Sequence, residues 1–277
     1  MTPARVSGHF VDGQAGPIYV LLRRPAVNAV RGCVVVVPPF AEEMNKCRRM
    51  VATTANELAA QGISSVMPDL YGTGDSGGDF VEASWDVWCG DIARTAAWAQ
   101  AQGHPVTGVL AIRLGCALAV DCVADGLLAP VERAVLWQPV LDGDRFLTQF
   151  LRVRVAASLM EDRKESLGEL RESLRAGRAL EIAGYTLPPQ LATQLSMISR
   201  ESGLQALATE LHWMEVVRNP AADLPVSSIR PVELVRTAGG AVLVSKFEGE
   251  PFWSSTEIVV NRAMSEATIR AFAATRL

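Results

Sequence analysis

Hydrophobic runs alternate with helical spacing along most of the chain, and this alternation predicts a sheet of mainly parallel strands wrapped by helices. The chain opens with two stretches, VSGHFVDG and PIYVLLRRP, whose separation by residues 14–17 predicts a β-hairpin. The next run, GCVVVVPPF, is continuous and β-branched, which is typical of a strand buried on both faces. Three further predicted strands, ISSVMPDL, VTGVLAI and VERAVLWQPV, alternate with helices predicted at 45–62, 85–103 and 114–126.

The alternation stops between residues 141 and 204, where the sequence is helical and charged. Strand and helix patterns resume with LHWMEVV, IRPVELVRTAGG and AVLVSKF, and a closing helix is predicted over 254–277. We therefore expect about eight strands in one core built from residues 1–140 and 205–277, with residues 141–204 inserted as a helical cap. In the cap, apolar side chains recur at helical spacing from Phe146 to Met160, which favours packing into the core or as a lid. A surface for a partner or a membrane is the less favoured alternative.

Composition narrows the classes of function. At 277 residues and 49% hydrophobic content, the chain is long and apolar enough for one large core, and its net charge of −4 argues against nucleic acid, which needs a basic face. No apolar run reaches the roughly 18 residues of a membrane span, and the first residues lack the apolar core of a signal peptide. The five cysteines form no C-x-x-C pair. We interpret them as reduced core residues of a cytoplasmic protein, for which we expect no metal and no cofactor.

The segment AIRLGC, residues 111–116, joins the strand VTGVLAI to an apolar helical stretch. Its small residues Ala111 and Gly115 suit a sharp turn between strand and helix, and the pattern resembles the nucleophile elbow G-x-S-x-G of the α/β-hydrolase fold. Arg113 stands where that elbow carries its serine. A guanidinium has no acceptor lone pair and stays protonated, so it cannot attack a carbonyl, and an acyl-enzyme at this position is excluded.

The general base is missing from the expected position as well. In the α/β-hydrolase fold a histidine follows the last strand, but the corresponding stretch EGEPFW, residues 248–253, contains none. His104 precedes the strand VTGVLAI and is expected at the opposite edge of the sheet, His212 lies within the strand LHWMEVV, and His9 lies in the opening hairpin. We interpret all three as structural histidines.

Two strings around residues 72–78 have the form of catalytic motifs. GTGDSG matches the dinucleotide fingerprint G-x-G-x-x-G, but loop residues follow it instead of a helix, and the acids of the loop would repel phosphate. GDSGG surrounds the nucleophile of trypsin-like proteases, whose chemistry depends on a β-barrel. We favour DLYGTGDS, residues 69–76, as the tight turn that follows the fourth strand of an α/β-hydrolase, and Ser76 stays an alternative nucleophile.

Charged residues are concentrated where the predicted site would lie. The loop after the third strand, in the place of an oxyanion loop, carries Glu42 and Glu43, and Glu250 lies where the histidine would be expected. Two hypotheses account for Arg113: a buried ion pair with one of these glutamates, or a pocket in which the guanidinium binds a carboxylate, phosphate or sulfate. We favour the ion pair, because an unpaired buried arginine is strongly destabilising. The expected pocket residues are Phe40, Ala41, Glu42, Glu43, Arg113, Leu114 and Glu250.

Five segments spread over nearly the whole chain resemble the exosortase A system-associated hydrolases of the second type, a family of bacterial proteins with the α/β-hydrolase fold. They are PPFAEEMNKCRRM, DLYGTGDSGGDF, IRLGC, VLWQPVLDGDRFLTQFLRVRVAASLM and EGEPFWSSTEI. The resemblance implies a cytoplasmic protein from a locus for exopolysaccharide production and the sorting of secreted surface proteins. A basic residue at the elbow is usual in this family, and the resemblance supplies no catalytic residue.

These observations favour a pseudo-hydrolase that acts by binding or assembly in the exosortase A and exopolysaccharide system. Its expected partners are a protein from the same locus and a small anionic or acyl ligand. The first alternative is an active esterase or thioesterase that uses Ser76 or an activated water. The second is a small-molecule sensor that binds an anion at Arg113. Neither nucleic acid nor a membrane span is expected.

Overall fold

Helices flank an eight-stranded sheet in the computed structural model of the protein. The described residues are 4–26, 30–160 and 164–274. Some expectations from the sequence fall outside them, namely those on residues 1–3, on residues 161–163 of the cap and on residues 275–277 of the closing helix.

The strands found within the described residues include all those expected from the hydrophobic pattern. In chain order they are β1 (Arg5–Asp12), β2 (Pro17–Arg24), β3 (Gly32–Val37), β4 (Ile63–Pro68), β5 (Val106–Ile112), β6 (Val131–Trp137), β7 (Leu180–Ile182), β8 (Tyr185–Leu187), β9 (Ala208–Val217) and β10 (Ala241–Glu248).

The α-helices of the described residues lie between the strands and after the last of them. They are α1 (Glu42–Ala60), α2 (Trp85–Ala101), α3 (Gly115–Ala124), α4 (Gly143–Met160), α5 (Leu167–Arg175), α6 (Pro189–Met197), α7 (Val226–Thr237) and α8 (Arg262–Ala273).

The order of the strands in the large sheet is β1-β2-β4-β3-β5-β6-β9-β10. Strand β2 pairs antiparallel with both β1 and β4, and every other pairing in the sheet is parallel. The prediction of a mostly parallel eight-stranded α/β sheet is therefore confirmed. Because parallel strands end at the same edge, the loops after β3, β5, β9 and β10 all lie along one edge of the sheet, and this edge carries the candidate site.

Alternate side chains of the strands divide the core into two layers. On β3, Val35 and Val37 pack with α2, α3 and the cap helices, whereas Val34 and Val36 pack on the opposite face with α1 and α8. All six residues of β3 are buried, as the uninterrupted β-branched run predicts. This central strand leads directly into the loop that precedes α1.

Between β6 and β9 the chain forms α4, α5, α6 and the two-stranded sheet β7–β8. The sequence predicted helix throughout this segment, and the hairpin is a correction. Its turn consists of Ala183 and Gly184, both with positive φ (51° and 83°), as a type I′ turn requires. A hydrogen bond from the backbone N–H of Arg200 to the carbonyl of Leu141 joins the two ends of the segment.

Two helix boundaries differ from the prediction. The closing helix begins at Arg262 and not at Ser254, because the side chain of Asn261 accepts a hydrogen bond from the Met264 N–H and caps the helix there. Helix α1 begins at Glu42, three residues before the predicted start, and its first turn therefore includes both glutamates of the loop.

None of the helices in the part of the chain that the structure describes combines the length and the apolar character needed to cross a membrane.

Candidate functional site

The turn between β5 and α3 holds Arg113 in a strained backbone conformation. Its φ of 55° lies in the left-handed region, which costs a residue with a side chain about 1–2 kcal/mol. Gly115 permits the turn, because a Cβ atom at this position would lie 2.5 Å from the carbonyl oxygen of Pro38. The N–H of Arg113 donates to the carbonyl of Trp137 at the end of β6, and its carbonyl accepts from the N–H of Val140. The predicted sharp turn between strand and helix is present, and the neighbouring strand end fixes it.

The guanidinium of Arg113 forms an ion pair with Glu43 in the first turn of α1. Nε donates to Oε1 over 3.1 Å, and Nη2 lies 3.0 Å from the same oxygen. The exposed fractions of the two side chains are 12% for Arg113 and 11% for Glu43, so water and salt screen the pair weakly. The sequence left three glutamates open as partners of Arg113, and the fold brings Glu43 to it.

Burial dominates the electrostatics of Glu43. It raises the pKa of this carboxyl to about 7, although the charge of Arg113 and its hydrogen bond act in the opposite direction. Oε2 is buried and has no hydrogen-bond partner within the described residues. The positive end of the α1 dipole offsets part of the penalty for burying the carboxylate. The pair is therefore incompletely satisfied, and Glu43 is poised to take up a proton close to neutral pH.

The indole ring of Trp253 packs against Arg113. The guanidinium carbon lies 4.7 Å from the ring centroid, which is within the range of a cation–π interaction. Trp253 belongs to the loop after β10, where a histidine would be expected, and its neighbour Phe252 is buried against Trp137 with 5.7 Å between the ring centroids. This loop contributes an aromatic ring that confines the guanidinium. The sequence alone shows that this loop lacks histidine, whereas the contact of Trp253 with Arg113 depends on the fold.

A second buried carboxyl, that of Glu215 near the end of β9, lies close to Arg113. Glu215 is 1% exposed, and its Oε1 accepts hydrogen bonds from the indole of Trp213 and the hydroxyl of Ser228. Oε2 is buried and has no partner in the described parts of the chain. Burial raises the pKa of Glu215, while its two hydrogen bonds and the charge of Arg113 lower it. Sequence reasoning missed this residue, and its signal is a lone carboxylate among the apolar residues of LHWMEVV.

The other predicted pocket residues are three apolar residues, which are buried, and two glutamates, which are more exposed. Phe40 and Ala41, from the loop before α1, and Leu114 of the elbow are all buried. Glu42 is half-buried, burial raises its pKa, and its Oε2 lacks a hydrogen-bond partner among the described residues. Glu250 is exposed. Within the described chain, neither Glu42 nor Glu250 forms an ion pair with Arg113.

Ser76 is held by backbone groups of the turn after β4. Its hydroxyl accepts a hydrogen bond of 2.7 Å from the N–H of Tyr19 and donates to the carbonyl of Asp69. The hydroxyl proton is therefore directed at a carbonyl and not at a base. The three histidines have other partners, which are Ser7 for His9, Ser64 for His104 and Glu210 for His212.

An apolar cavity of about 140 Å³ lies beside the elbow. Phe40 stands at the centre of the aromatic cluster behind it, with ring centroids 5.3 Å from Phe146 and 5.2 Å from Phe150 of α4, so the cap contributes to the enclosure. Among the residues that line this cavity are Phe40, Ala41, Trp85, Trp88, Leu114 and Leu118.

A polar cavity of about 160 Å³ lies between the elbow, the end of β9 and the start of the cap. Arg113 and Glu215 both line it. The polar side chains that line it include Arg113, Gln138, Asp142, Arg145, Gln149 and Glu215.

A scan against models of protein families finds no match to this chain. A search of the curated proteins finds none either.

Solved structures of the same architecture match nearly the whole chain. Est1E from Butyrivibrio proteoclasticus with ferulic acid bound has 13% identity, covering 96% of this chain and 100% of that chain, with a TM-score of 0.67. A thermostable carboxyl esterase from Bacillus coagulans in complex with glycerol has 13% identity, 99% and 97% coverage and a TM-score of 0.63. XC6422 from Xanthomonas campestris, a serine hydrolase without a lid, has 13% identity, 99% and 97% coverage and a TM-score of 0.58. The chain has the α/β-hydrolase fold.

In the α/β-hydrolase fold the catalytic triad follows the chain order nucleophile, acid, histidine. Along this chain the elbow carries Arg113, the end of β9 carries Glu215 and the loop after β10 carries Trp253. The carboxyl of Glu215 thus follows the chain order of the acid, while Arg113 and Trp253 have neither a nucleophilic atom nor a basic nitrogen. The site consists of the ion pair between Arg113 and Glu43, the indole ring of Trp253 and two cavities. These features are suited to binding a ligand.

Proposed function

We propose that this protein is a pseudo-hydrolase, which uses the α/β-hydrolase fold to bind a ligand or partner without cleaving it. The observation that carries the proposal is the presence of Arg113 at the nucleophile position, paired with Glu43 and packed on Trp253. An ester or thioester placed at the elbow would meet a guanidinium, which donates hydrogen bonds but cannot attack a carbonyl carbon.

The alternative of an active esterase receives less support from the site. A serine nucleophile needs an adjacent base, and the Ser76 hydroxyl donates to the carbonyl of Asp69. The observation that favours this alternative is the Oε2 atom of Glu215, which has no hydrogen-bond partner among the described residues, since a buried carboxylate near a cavity is a candidate base for a water molecule. The assay below therefore includes both residues.

For the ligand we propose a short acyl or aromatic group in the apolar cavity. An engineered apolar cavity of about 150 Å³ binds benzene, and the cavity of about 140 Å³ beside Leu114 is of comparable size. An anion sensor centred on Arg113 receives less support, because Glu43 already compensates the charge of the guanidinium.

We propose in addition that the protein works in the cytoplasm as part of an exosortase A and exopolysaccharide system, with a protein partner from that system. This part of the proposal rests on the resemblance of the five sequence segments and on the basic residue at the elbow.

The deciding experiment measures turnover of short p-nitrophenyl esters and acyl thioesters by the purified wild type and by Ser76→Ala and Glu215→Gln. We expect no turnover above the rate in buffer for any of the three proteins. Turnover by the wild type that either substitution abolishes would overturn the proposal. Equal turnover by all three would point to a contaminating esterase, which a second purification step would remove.

A further inference from the structure

Glu215, which lines the polar cavity, has a buried carboxyl oxygen that accepts no hydrogen bond from the described residues. Oε1 of Glu215 is occupied by the indole of Trp213, at 2.8 Å, and by the hydroxyl of Ser228. Oε2 has no partner within the described residues, although Glu215 is 1% exposed and lines the cavity. A buried polar atom that has lost water and gained no partner is destabilising. A group in the cavity that donates a hydrogen bond to Oε2 would remove this penalty.

The formal charges around the polar cavity largely compensate one another. Arg113 is paired with Glu43 at 3.0 Å, and Glu201 is paired with Arg230 at 3.2 Å. A further acidic group of the lining is Glu215, and burial disfavours the ionised form of its carboxyl. A lining of this kind attracts neither an anion nor a cation strongly, so an uncharged ligand fits it best. Two further side chains of opposite charge contribute to the lining, Asp142 and Arg145.

Hydrogen-bond donors and acceptors are mixed around the same space. The Oε1 atom of Gln138 accepts from the N–H of Val216 over 2.7 Å, which leaves the amide NH₂ of Gln138 as a donor. Gln149 offers both kinds of group from the exposed side of α4, and Glu215 offers an acceptor. A hydroxyl group donates one hydrogen bond and accepts two, so it is an uncharged group that suits a mixed lining.

We propose that the polar cavity binds an uncharged polyhydroxylated molecule of up to one six-membered ring, with one hydroxyl donating to Oε2 of Glu215. The volume of about 160 Å³ is comparable to that of an engineered cavity that holds a benzene ring. Leu141 and Phe146 provide apolar surface in the same cavity for the C–H groups of such a ring. The inference goes beyond the proposed function, because it concerns a different cavity and a different class of ligand from the acyl group.

Isothermal titration of the purified full chain with glycerol, myo-inositol and D-glucose tests the proposal. Two charged rings without neighbouring hydroxyls, cyclohexanecarboxylate and cyclohexylamine, serve as comparison probes. We expect saturable binding of at least one hydroxylated probe and none of the two charged rings. Glu215→Gln, which keeps the shape but replaces the unpaired acceptor by a donor, should weaken this binding at least tenfold. Glu210→Gln, the same change near the start of the same strand, should leave it unaltered.

A second variant tests the cavity without touching the buried carboxyl. Gln149→Trp places a large side chain on the exposed lining of the cavity, so it should fold normally and abolish binding. The proposal is overturned if no hydroxylated probe binds, if the charged rings bind equally well, or if binding survives both Glu215→Gln and Gln149→Trp. If the hydroxylated probes fail to bind, the proposal that the protein does not hydrolyse esters still stands. If the protein turns over esters, that proposal is overturned, and the proposal of a polyol site in the polar cavity still stands.

Discussion

At the scale of single residues, the ion pair between Arg113 and Glu43 determines the stability of the elbow. Breaking a fully buried pair by removing one partner costs about 3–5 kcal/mol, and Arg113→Ser leaves Glu43 without its cation. Burial raises the pKa of Glu43 to about 7 even though Arg113 lowers it. Without Arg113 the pKa rises further, so the orphaned carboxyl escapes part of this cost by taking up a proton. We expect Arg113→Ser to be destabilised, and more strongly at pH 8 than at pH 6, in urea unfolding experiments.

The double variant Arg113→Ser/Glu43→Gln provides the control. It removes the buried carboxylate together with the guanidinium and should recover most of the lost stability.

We also expect no hydrolase activity from the new serine, since the loop after β10 has no histidine to activate it. If Arg113 were an anion clamp, the single variant would be as stable as the wild type, and phosphate would stabilise the wild type alone.

Asp91 provides a second test at the residue scale, through pH. It is fully buried on α2, its Oδ2 accepts from the N–H of Tyr71, and its Oδ1 has no partner within the described chain. Burial raises the pKa of this carboxyl from 3.8 to about 6. A raised pKa in the folded state means that stability falls as pH rises from about 4 through 6 and the group ionises. We expect Asp91→Asn to match the wild type near pH 4 and to exceed its unfolding free energy above pH 6.5. A difference of the same size at both pH values would contradict this.

At the scale of elements, the close approach of α3 to the end of β3 sets the shape of the elbow. A Cβ atom on Gly115 would lie 2.5 Å from the carbonyl oxygen of Pro38 and 2.8 Å from that of Val37, and both are backbone atoms that cannot rotate away. We expect Gly115→Ala to cost about 1–3 kcal/mol, the usual range for overpacking. Gly168→Ala in the exposed first turn of α5, where the nearest atom lies 3.9 Å away, should be neutral or stabilising. Thermal unfolding of the two variants measures the contrast, and equal melting temperatures would disprove the clash.

At the scale of the whole molecule, the cap and the sheet share one hydrophobic cluster. Phe146 and Leu151 of α4 and Leu191 of α6 belong to the same buried cluster as Val35 of β3 and Leu118 of α3. Polar contacts add to this connection, because the N–H of Trp85 donates to Gln194 of α6 and Arg200 pairs with Asp121 of α3.

Because these contacts are continuous, we expect the cap and the sheet to unfold together. Calorimetry should show one transition whose calorimetric and van't Hoff enthalpies agree. A separate transition at lower temperature that reduces helical circular dichroism would show that the cap unfolds on its own.

The sequence by itself determined the elements and the class of the fold. Short β-branched runs such as GCVVVV favour strands buried on both faces, and a glycine after a helical stretch marks its end. Local physics was therefore sufficient for β1–β6, β9 and β10. The same local reasoning identified Arg113 at the turn after β5, because small residues at 111 and 115 are needed there.

Only the tertiary structure decided which groups meet at Arg113. Glu43 of α1, Glu215 of β9 and Trp253 of the loop after β10 lie between 70 and 140 residues away along the chain. Nothing in the local sequence distinguishes Glu43 from Glu42 or Glu250. The choice depends on the direction in which the first turn of α1 points its side chains, and this follows from the start of the helix at Glu42. Burial likewise belongs to the assembled fold, since only packing removes water from Glu43 and Glu215 and so raises the pKa of each carboxyl.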